Sequence, residues 1–510
     1  MDSPLSLPAL LALSLVLLVA LHLARRRRVA GKNRNYPPVA GTVLHQLLNY
    51  GRLMEYLTEL SRRHRTFRVL TPTHNKIYTV DPANVEHILK ASFANYDKVG
   101  TMHGVLEDLL GDGIFNVAAG AKWRHQRKVA SHEFSTRVLR DFSSAVFRDA
   151  AAELAGVVVA AAAPGNKAAV DIQDLLMRSA LDSIFKVGFG VTLGAVLGPS
   201  CEEGAAAFAM AFDDASERVL YRLLDPLWKV KRFLNVSSEA AMKRSVRTID
   251  DFVYAVIDRK IEQMGRDQQE FAKKEDILSR FLLEREREPG CFDNKYLRDI
   301  ILNFVIAGRD TTAGTLSWFL YVLCRNEPVQ DRIAEEVRAA TTDDRDVGVQ
   351  ELAATLTEDA ISKMHYLHAA LTETLRLYPA VPVDAKSCLS DDTLPDGYAV
   401  KKGDIVNYQP YAMGRMEFLW GPDAKEFRPE RWLNDDGVFV PESPFKFTAF
   451  QAGPRVCLGK VFAYRQMKIF AAVLLYLFRF QMWDANATVG YRPTLTLKMD
   501  GPLYVRASPR

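Results

Sequence analysis

Apolar residues spaced three and four apart dominate this chain, and strictly alternating runs are short and few. The first spacing marks one face of a helix, and alternation marks a strand. Helices are predicted from Pro82 to Lys90, where Asp81-Pro82 supplies a cap and a first-turn proline. Others cover the alanine-rich piece Ala150–Ala163, ended by Pro164-Gly165, and the long pattern Tyr296–Asn326, stopped by Glu327-Pro328. A helix around Leu371–Leu377 ends before Pro379, and the run Val461–Phe478 gives another. Residues 200–290 read as several helices, with Phe208, Met210, Phe212, Leu220 and Leu223 as core or substrate-entrance positions. Tyr96–Asn116, with several glycines, reads as a loop. Three hairpins are predicted: Thr66–Leu70 with Lys76–Val80, Tyr398–Val400 with Ile405–Tyr408, and Leu495–Met499 with Leu503–Arg506. The pattern describes a mainly α fold with small β-sheets, and no second domain boundary interrupts it.

The front of the chain differs. Leu5–Ala24 carries no charge and, as a helix, would span about 30 Å, the thickness of a hydrocarbon core. Arg25-Arg26-Arg27-Arg28, Lys32 and Arg34 follow it, while Asp2 alone precedes it with a charge. That polarity is the reverse of a cleavable signal peptide. It predicts a single-pass transmembrane helix over residues 1–24, with everything after the arginines in the cytosol. Residues 25–45 then form a basic flank and a proline-rich hinge, Tyr36-Pro37-Pro38-Val39-Ala40-Gly41. The formal net charge of +4 belongs to this flank, so the remaining chain, residues 46–510, is close to neutral and gives no reason to invoke nucleic acid. Five scattered cysteines, Cys201, Cys291, Cys324, Cys388 and Cys457, suggest neither zinc nor a disulfide framework.

Chemistry concentrates at Phe450-Gln451-Ala452-Gly453-Pro454-Arg455-Val456-Cys457-Leu458-Gly459. A glycine-proline turn presents one cysteine just before a helix, whose free N–H groups favour a thiolate. Gly453 and Gly459 allow close approach of a flat ligand, and Arg455 is a permanent cation for a carboxylate. Taken alone, Cys457 could equally be a buried structural cysteine. Five positions together, Phe450, Gly453, Arg455, Cys457 and Gly459, resemble the heme-binding signature of the cytochrome P-450 family. The resemblance implies a heme b with Cys457 as axial ligand, and that family's mainly helical fold behind the membrane helix. It implies that Trp123 and Arg127, four apart on one helix face, hold a propionate together with Arg455 and Lys386. Without it, the first two would be an ordinary aromatic–cation pair. Lys122, Arg124 and Lys128 then form a positive rim for an acidic reductase, or simply a solvated face.

Within the long helix, Ala307-Gly308-Arg309-Asp310-Thr311-Thr312 places small and polar residues where packing wants neither. The resemblance sets this motif over the open heme face, with Ala307 and Gly308 leaving room for oxygen and substrate. Asp310 and Thr311 are then the catalytic pair that delivers protons to dioxygen. Relatives that only rearrange peroxides often lack this pair, and a non-catalytic heme-thiolate sensor needs no proton relay, so the pair favours a true monooxygenase over both. Glu373 and Arg376, at i, i+3, and Arg431 correspond to a buried ionic network supporting the cysteine loop. The strings Gly111–Asn116, Phe304–Phe319, Met413–Met416 and Phe450–Lys468 look like the plant branch containing fatty-acid omega-hydroxylases. The expectations are hydroxylation of a long-chain fatty acid with electrons from NADPH-cytochrome P-450 reductase, at the endoplasmic reticulum membrane. A terpenoid or sterol is the alternative substrate.

Overall fold

The computed structural model describes residues 19, 20, 24 and 35–510, apart from 73, 136, 164–168, 197–203, 226, 272–275, 288–291 and 342–346; side chains at 101, 132–139 and 493 are also left aside. The expected anchor and arginine flank therefore lie almost wholly outside the described residues, as do Pro164-Gly165, Cys201 and Cys291. Among the described residues no helix is long and apolar enough to cross a membrane.

The chain opens with β1 (Val39–Thr42), α1 (Leu53–Arg63), β2 (Thr66–Leu70), β3 (Asn75–Thr79) and β4 (Tyr96–Asp97). Helices α2 (Thr101–Leu110), α3 (Ala121–Ser135) and α4 (Arg137–Ala161) lead to β5 (Val170–Asp171) and α5 (Ile172–Phe189). Then come α6 (Ala205–Arg222), α7 (Trp228–Leu234), α8 (Ser237–Arg266) and α9 (Asn294–Val305). One π-helical turn, Ile306–Asp310, joins α9 to α10 (Thr311–Leu323). The last third contains α11 (His365–Leu377), β6 (Asp384–Cys388), β7 (Asp392–Thr393), β8 (Ala399–Val400), β9 (Ile405–Tyr408), α12 (Lys460–Leu477), β10 (Phe478–Met482), β11 (Tyr491–Pro493), β12 (Leu497–Met499) and β13 (Tyr504–Pro509), with shorter helices between. The fold is mainly α with small β-sheets, as the pattern predicts.

The largest sheet has the order β1-β2-β3-β9-β6-β4. Its β2–β3 hairpin matches the prediction, with Thr66 opposite Thr79. The other two predicted hairpins do not form. β8 pairs with β7, while β9 lies between β3 and β6. Likewise β12 pairs with β11, and β13 with β10 and β5. Alternation identifies a strand but not its partner, and here most partners are distant in sequence. Tyr96–Asn116 is not a loop throughout, because it contains α2. Gly100 and Gly111 flank the helix at positive φ, while Gly104 lies within it. The proline hinge is docked rather than free: Tyr36 lies under the Arg68 guanidinium at 4.6 Å, and the Pro38 carbonyl accepts from the Arg68 N–H at 2.9 Å. The sheet therefore takes in Val39–Thr42, the end of the hinge segment.

Two hydrophobic cores flank the central helix. Leu297, Ile300, Ile301, Phe304 and Ile306 pack with Phe185, Phe208, Phe212 and Phe252. Leu316, Trp318, Phe319 and Leu323 pack instead with α4, α11 and α12 through residues such as Leu154, Leu371 and Phe470. The π turn lies where the helix leaves one core and enters the other. Of the candidate entrance residues, Phe208 and Phe212 are fully buried core, while Met210 is 67% exposed.

Candidate active site

Cys457 sits three residues before α12, in a loop closed by its own N–H donating to the Phe450 carbonyl at 2.9 Å. The loop turns at Gly453, whose φ is +65°; a Cβ there would come within 2.0 Å of the Leu89 carbonyl oxygen. Glycine is thus required twice, for its dihedral and for its space. Gly459 has an ordinary dihedral, and a Cβ on it would face the Cys457 sulfur at 4.0 Å. The Phe450 ring packs against Tyr464 at 5.1 Å. Cys457 is exposed, although protein packs densely around its sulfur. Burial pushes the free thiol up, against the Gly459 N–H and the charges of Arg127 and Lys460, which favour thiolate. The thiolate is the form that binds a metal, and coordination favours it over the buried thiol.

Beside this loop the predicted propionate residues do assemble. Trp123 is buried in α3 between two guanidinium groups, Arg127 at 5.5 Å and Arg455 at 4.7 Å from its ring. Arg127 donates to the Val456 carbonyl at 2.9 Å, and Arg455 to Asp97 at 3.0 Å and the Val117 carbonyl at 2.9 Å. Burial lowers the pKa of both arginines, and Arg455 lowers that of Arg127 further. Lys386, on β6, is 1% exposed, and its ammonium is 3.6 Å from Asp384 with no hydrogen-bond partner. Burial brings its pKa down to about 7. Asp384 also accepts from Lys98 at 2.5 Å and from the Tyr408 hydroxyl at 2.9 Å, and these cations hold its carboxyl far below the usual range.

This cluster tests whether the residues fit a heme. Four basic groups, Arg127, Arg455, Lys98 and Lys386, gather around two carboxylates, Asp97 and Asp384. With Lys386 protonated, the surplus is two positive charges, matching two propionates. The unbonded Lys386 ammonium and the unbonded Arg455 Nε are buried donors of the kind such groups would satisfy. The residues fit. Lys98, Asp97 and Asp384 were not legible in the sequence, because β4 and β6 come together from opposite ends of the chain.

The ionic network also forms. Glu373 and Arg376 are fully buried and joined by two hydrogen bonds of 2.7 Å. Glu373 also accepts from the Trp432 indole at 2.9 Å, the Arg428 N–H at 3.0 Å and Arg431 at 3.4 Å. Arg376 donates to the carbonyls of Gly414, Ala424 and Glu426. The network grips residues 414–432 directly. It reaches the cysteine loop through the Trp432–Phe447 ring contact at 4.9 Å. Trp432 is the member that pattern alone did not reveal.

On the central helix, Ala307, Gly308 and Thr311 remain partly open, while Arg309 and Asp310 are buried. The Thr311 hydroxyl donates to the Ala307 carbonyl, and the Thr315 hydroxyl to the Thr311 carbonyl at 2.7 Å. These bonds satisfy acceptors that a π turn leaves irregular. The expected space at Gly308 is used differently: its missing Cβ faces Ile184 of α5, which would approach to 2.6 Å. Gly308 thus permits helix contact rather than ligand room. Arg309 Nη1 donates to both Asp213 of α6, at 2.7 Å, and Asp310, at 3.1 Å. Lys498 on β12 completes the group with a 2.5 Å bond to Asp213. Burial, opposed by Arg309 and reinforced by Asp213, raises the Asp310 carboxyl to about 6. Arg309 lies inside the motif, whereas nothing in the sequence couples Asp213 and Lys498 to it. Lys122, of the expected positive rim, is paired with Asp112 at 2.8 Å, which offsets its charge there.

Comparison with known proteins agrees with this arrangement. Residues 36–497 match the family model described as Cytochrome P450. The chain is 51% identical over 508 residues to Cytochrome P450 704C1 of Pinus taeda, covering 98% of this chain and 97% of that one. It is 46% identical to Cytochrome P450 704B1 of Arabidopsis thaliana, covering 94% and 96%, and 40% identical to Cytochrome P450 86B1 of the same plant, covering 88% and 80%. A cysteine loop beside a cationic rim, and a central helix with an acid–alcohol turn, in a chain matched over nearly its whole length leave one conclusion: it belongs to the cytochrome P450 family, with a thiolate-ligated heme as cofactor.

Proposed function

We propose that this protein is a monooxygenase that places one oxygen atom of O2 on a long-chain fatty acid near its methyl end. Electrons come from NADPH through NADPH-cytochrome P-450 reductase. The observation that carries the oxygenase reading is that one chain holds both the Cys457 loop with its cationic rim and a buried Asp310 group beside Thr311 on a π turn. A sensor would need the first but not the second. The fatty-acid assignment rests on the likeness of Gly111–Asn116, Phe304–Phe319, Met413–Met416 and Phe450–Lys468 to plant omega-hydroxylases.

When bound, a heme with cysteine thiolate supplies the electron density that favours O–O cleavage. Cys457 is its ligand, and Trp123, Arg127, Arg455, Lys386 and Lys98 hold its carboxylate edge. Glu373, Arg376 and Arg431 keep the 414–432 segment rigid behind the cysteine loop. Asp310, with a pKa of about 6, is protonated part of the time near neutrality. It takes a proton from the Asp213–Lys498 side, where Asp213 is 32% and Lys498 21% exposed, and passes it toward the partly open Thr311 hydroxyl. Arg309 holds both carboxylates in place.

The protein is held at the endoplasmic reticulum membrane by Leu5–Ala24, with the catalytic domain in the cytosol. Two features support this placement: the arginines after the apolar stretch, and the exposed apolar residues Val230, Phe233 and Leu234 of α7, interleaved with Lys229, Lys231 and Arg232. The test is incubation of microsomes containing the protein and reductase with a panel of fatty acids, terpenoids and sterols. Omega-oxygenated acids are expected. Oxygenated terpenoid or sterol without any oxygenated acid overturns the substrate, and no product from any class overturns the activity.

A further inference from the structure

Within the cysteine loop, Gln451 holds a φ of +58°, a left-handed value that is costly for a residue with a side chain. In that conformation its carboxamide reaches Asp384: Nε2 donates to Oδ2 at 2.5 Å, while Oε1 is buried and accepts nothing. Asp384 lies on β6, where Lys386, two residues on, shares its face. Tyr408 of β9 stands directly across from Asp384. The carboxylate between them is fully engaged. Oδ1 accepts from Lys98 at 2.5 Å and from the Ala385 N–H at 2.8 Å. Oδ2 accepts from the Tyr408 hydroxyl at 2.9 Å and from Gln451. A carboxylate offers about four such places, so none is left for Lys386. Its ammonium lies 3.6 Å from Oδ2, held by charge but hydrogen-bonded to nothing, although the residue is only 1% exposed. A buried ammonium beside a carboxylate ordinarily bonds it, as Lys260 bonds Asp276 at 2.8 Å. What differs at Asp384 is the pair of neutral donors that occupy Oδ2.

We infer that Gln451 is a positioning residue for the heme: by filling Asp384 Oδ2 together with Tyr408, it keeps the Lys386 ammonium off that carboxylate and free for the heme's carboxylate edge. Without the Gln451 amide, a movement of about 1 Å would bring Lys386 onto Oδ2 at ordinary ion-pair distance and withdraw its donors from the heme. The inference rests on the assignment of Lys386 to that edge and names the residue that holds it ready. It also gives the strained dihedral a purpose, since glycine at 451 would relieve the backbone but lose the amide. The competing role is purely structural, with Gln451 tying the cysteine loop to β6 and nothing more.

The test follows heme transfer from the ferric holoenzyme to excess heme-free myoglobin, in wild type, Q451G, K386Q and the double variant. Q451G accepts the left-handed backbone without strain, so it removes the amide alone. Each single variant should release heme about tenfold faster, the worth of one charge-assisted hydrogen bond. The double variant should be no faster than K386Q, because both changes remove the same bond. An effect of about a hundredfold in the double variant would mean that Gln451 acts apart from Lys386 and overturn the inference, as would wild-type release from Q451G. Resonance Raman gives a second reading. The bending band of the heme carboxylates should shift alike in Q451G and K386Q, and an unmoved band in Q451G overturns the inference. Should Q451G fail to load heme, Y408F, which empties the other place on Oδ2, should show the same shift, and a wild-type band there overturns it too. Unchanged release and an unmoved band in K386Q would remove Lys386 from the heme edge and the inference with it, a failure visible without any change at Gln451.

Discussion

Asp213 is the residue whose removal probes the proton group most cleanly, because it is partly exposed and lies on a different helix from Asp310. The two carboxylates bond the same Arg309 nitrogen at 2.7 and 3.1 Å, so their bonded oxygens are at most about 6 Å apart. Two unit charges at that distance repel by about 3 kcal/mol at an effective dielectric of about 20. That is about two pK units, and partial exposure of Asp213 reduces it to about one. In Asp213→Asn the negative neighbour is gone while Arg309 and Lys498 remain. Both changes favour the Asp310 carboxylate, so its pKa should fall from about 6 to about 5. At pH 7 the protonated fraction then drops from about one in ten to about one in a hundred. Activity that needs the protonated acid declines as pH rises, so the alkaline limb should move about one unit to lower pH. The assay is product formed and peroxide released per NADPH consumed, across a pH series, in enzyme matched for heme content. Slower product formation with more peroxide at neutral pH is expected. An unmoved limb with unchanged coupling would refute the relay through Arg309.

Other substitutions test the remaining parts. Glu373→Ala leaves Arg376 and the Trp432 indole buried without their acceptor, which should cost about 3–5 kcal/mol and yield protein with little heme; the heme-to-polypeptide ratio measures this, and full heme loading would contradict it. Gly453→Ala forces a Cβ to within 2.0 Å of the Leu89 carbonyl at an unfavourable dihedral, so it should abolish the thiolate-type spectrum of the reduced carbon-monoxide complex. Thr311→Ala should keep NADPH consumption but divert it to peroxide, and an unchanged product yield would remove Thr311 from proton delivery.

What was legible in the sequence is what is local. The Asp81 cap, the β2–β3 hairpin, the glycine-proline turn before Cys457 and the irregular turn at Ala307–Thr311 each follow from a few adjacent residues. Glu373 with Arg376, and Trp123 with Arg127, follow from helical spacing. The failures are matters of partnership. Ile405–Tyr408 reads correctly as a strand, yet it lies beside Lys76–Thr79 rather than the strand just before it. Asp97 and Asp384 look like ordinary surface acids until β4 and β6 bring them beside Arg455 and Lys386. Gly308 was read as room for a ligand because a missing side chain does not say what fills the space, and here Ile184 does. Tyr96–Asn116 has the glycine content of a loop, yet Met102, Val105, Leu106, Leu109 and Leu110 bury one face and hold Thr101–Leu110 helical around Gly104.

The π turn at Ile306–Asp310 lies where the central helix passes between two separately packed cores, and α5 is shared in the same way, with Ile184 and Phe185 in one core and Leu176 and Ala180 in the other. Such a seam divides labour. The half built on α6 and α8 packs the helix before the turn, and the half built on α4, α11 and α12 packs the helix after it and includes the helix that follows Cys457. Because the helix changes cores at its least regular turn, a volume change in one core should be absorbed there and leave the other packed as before. The seam makes one long helix behave as two mechanically separate supports.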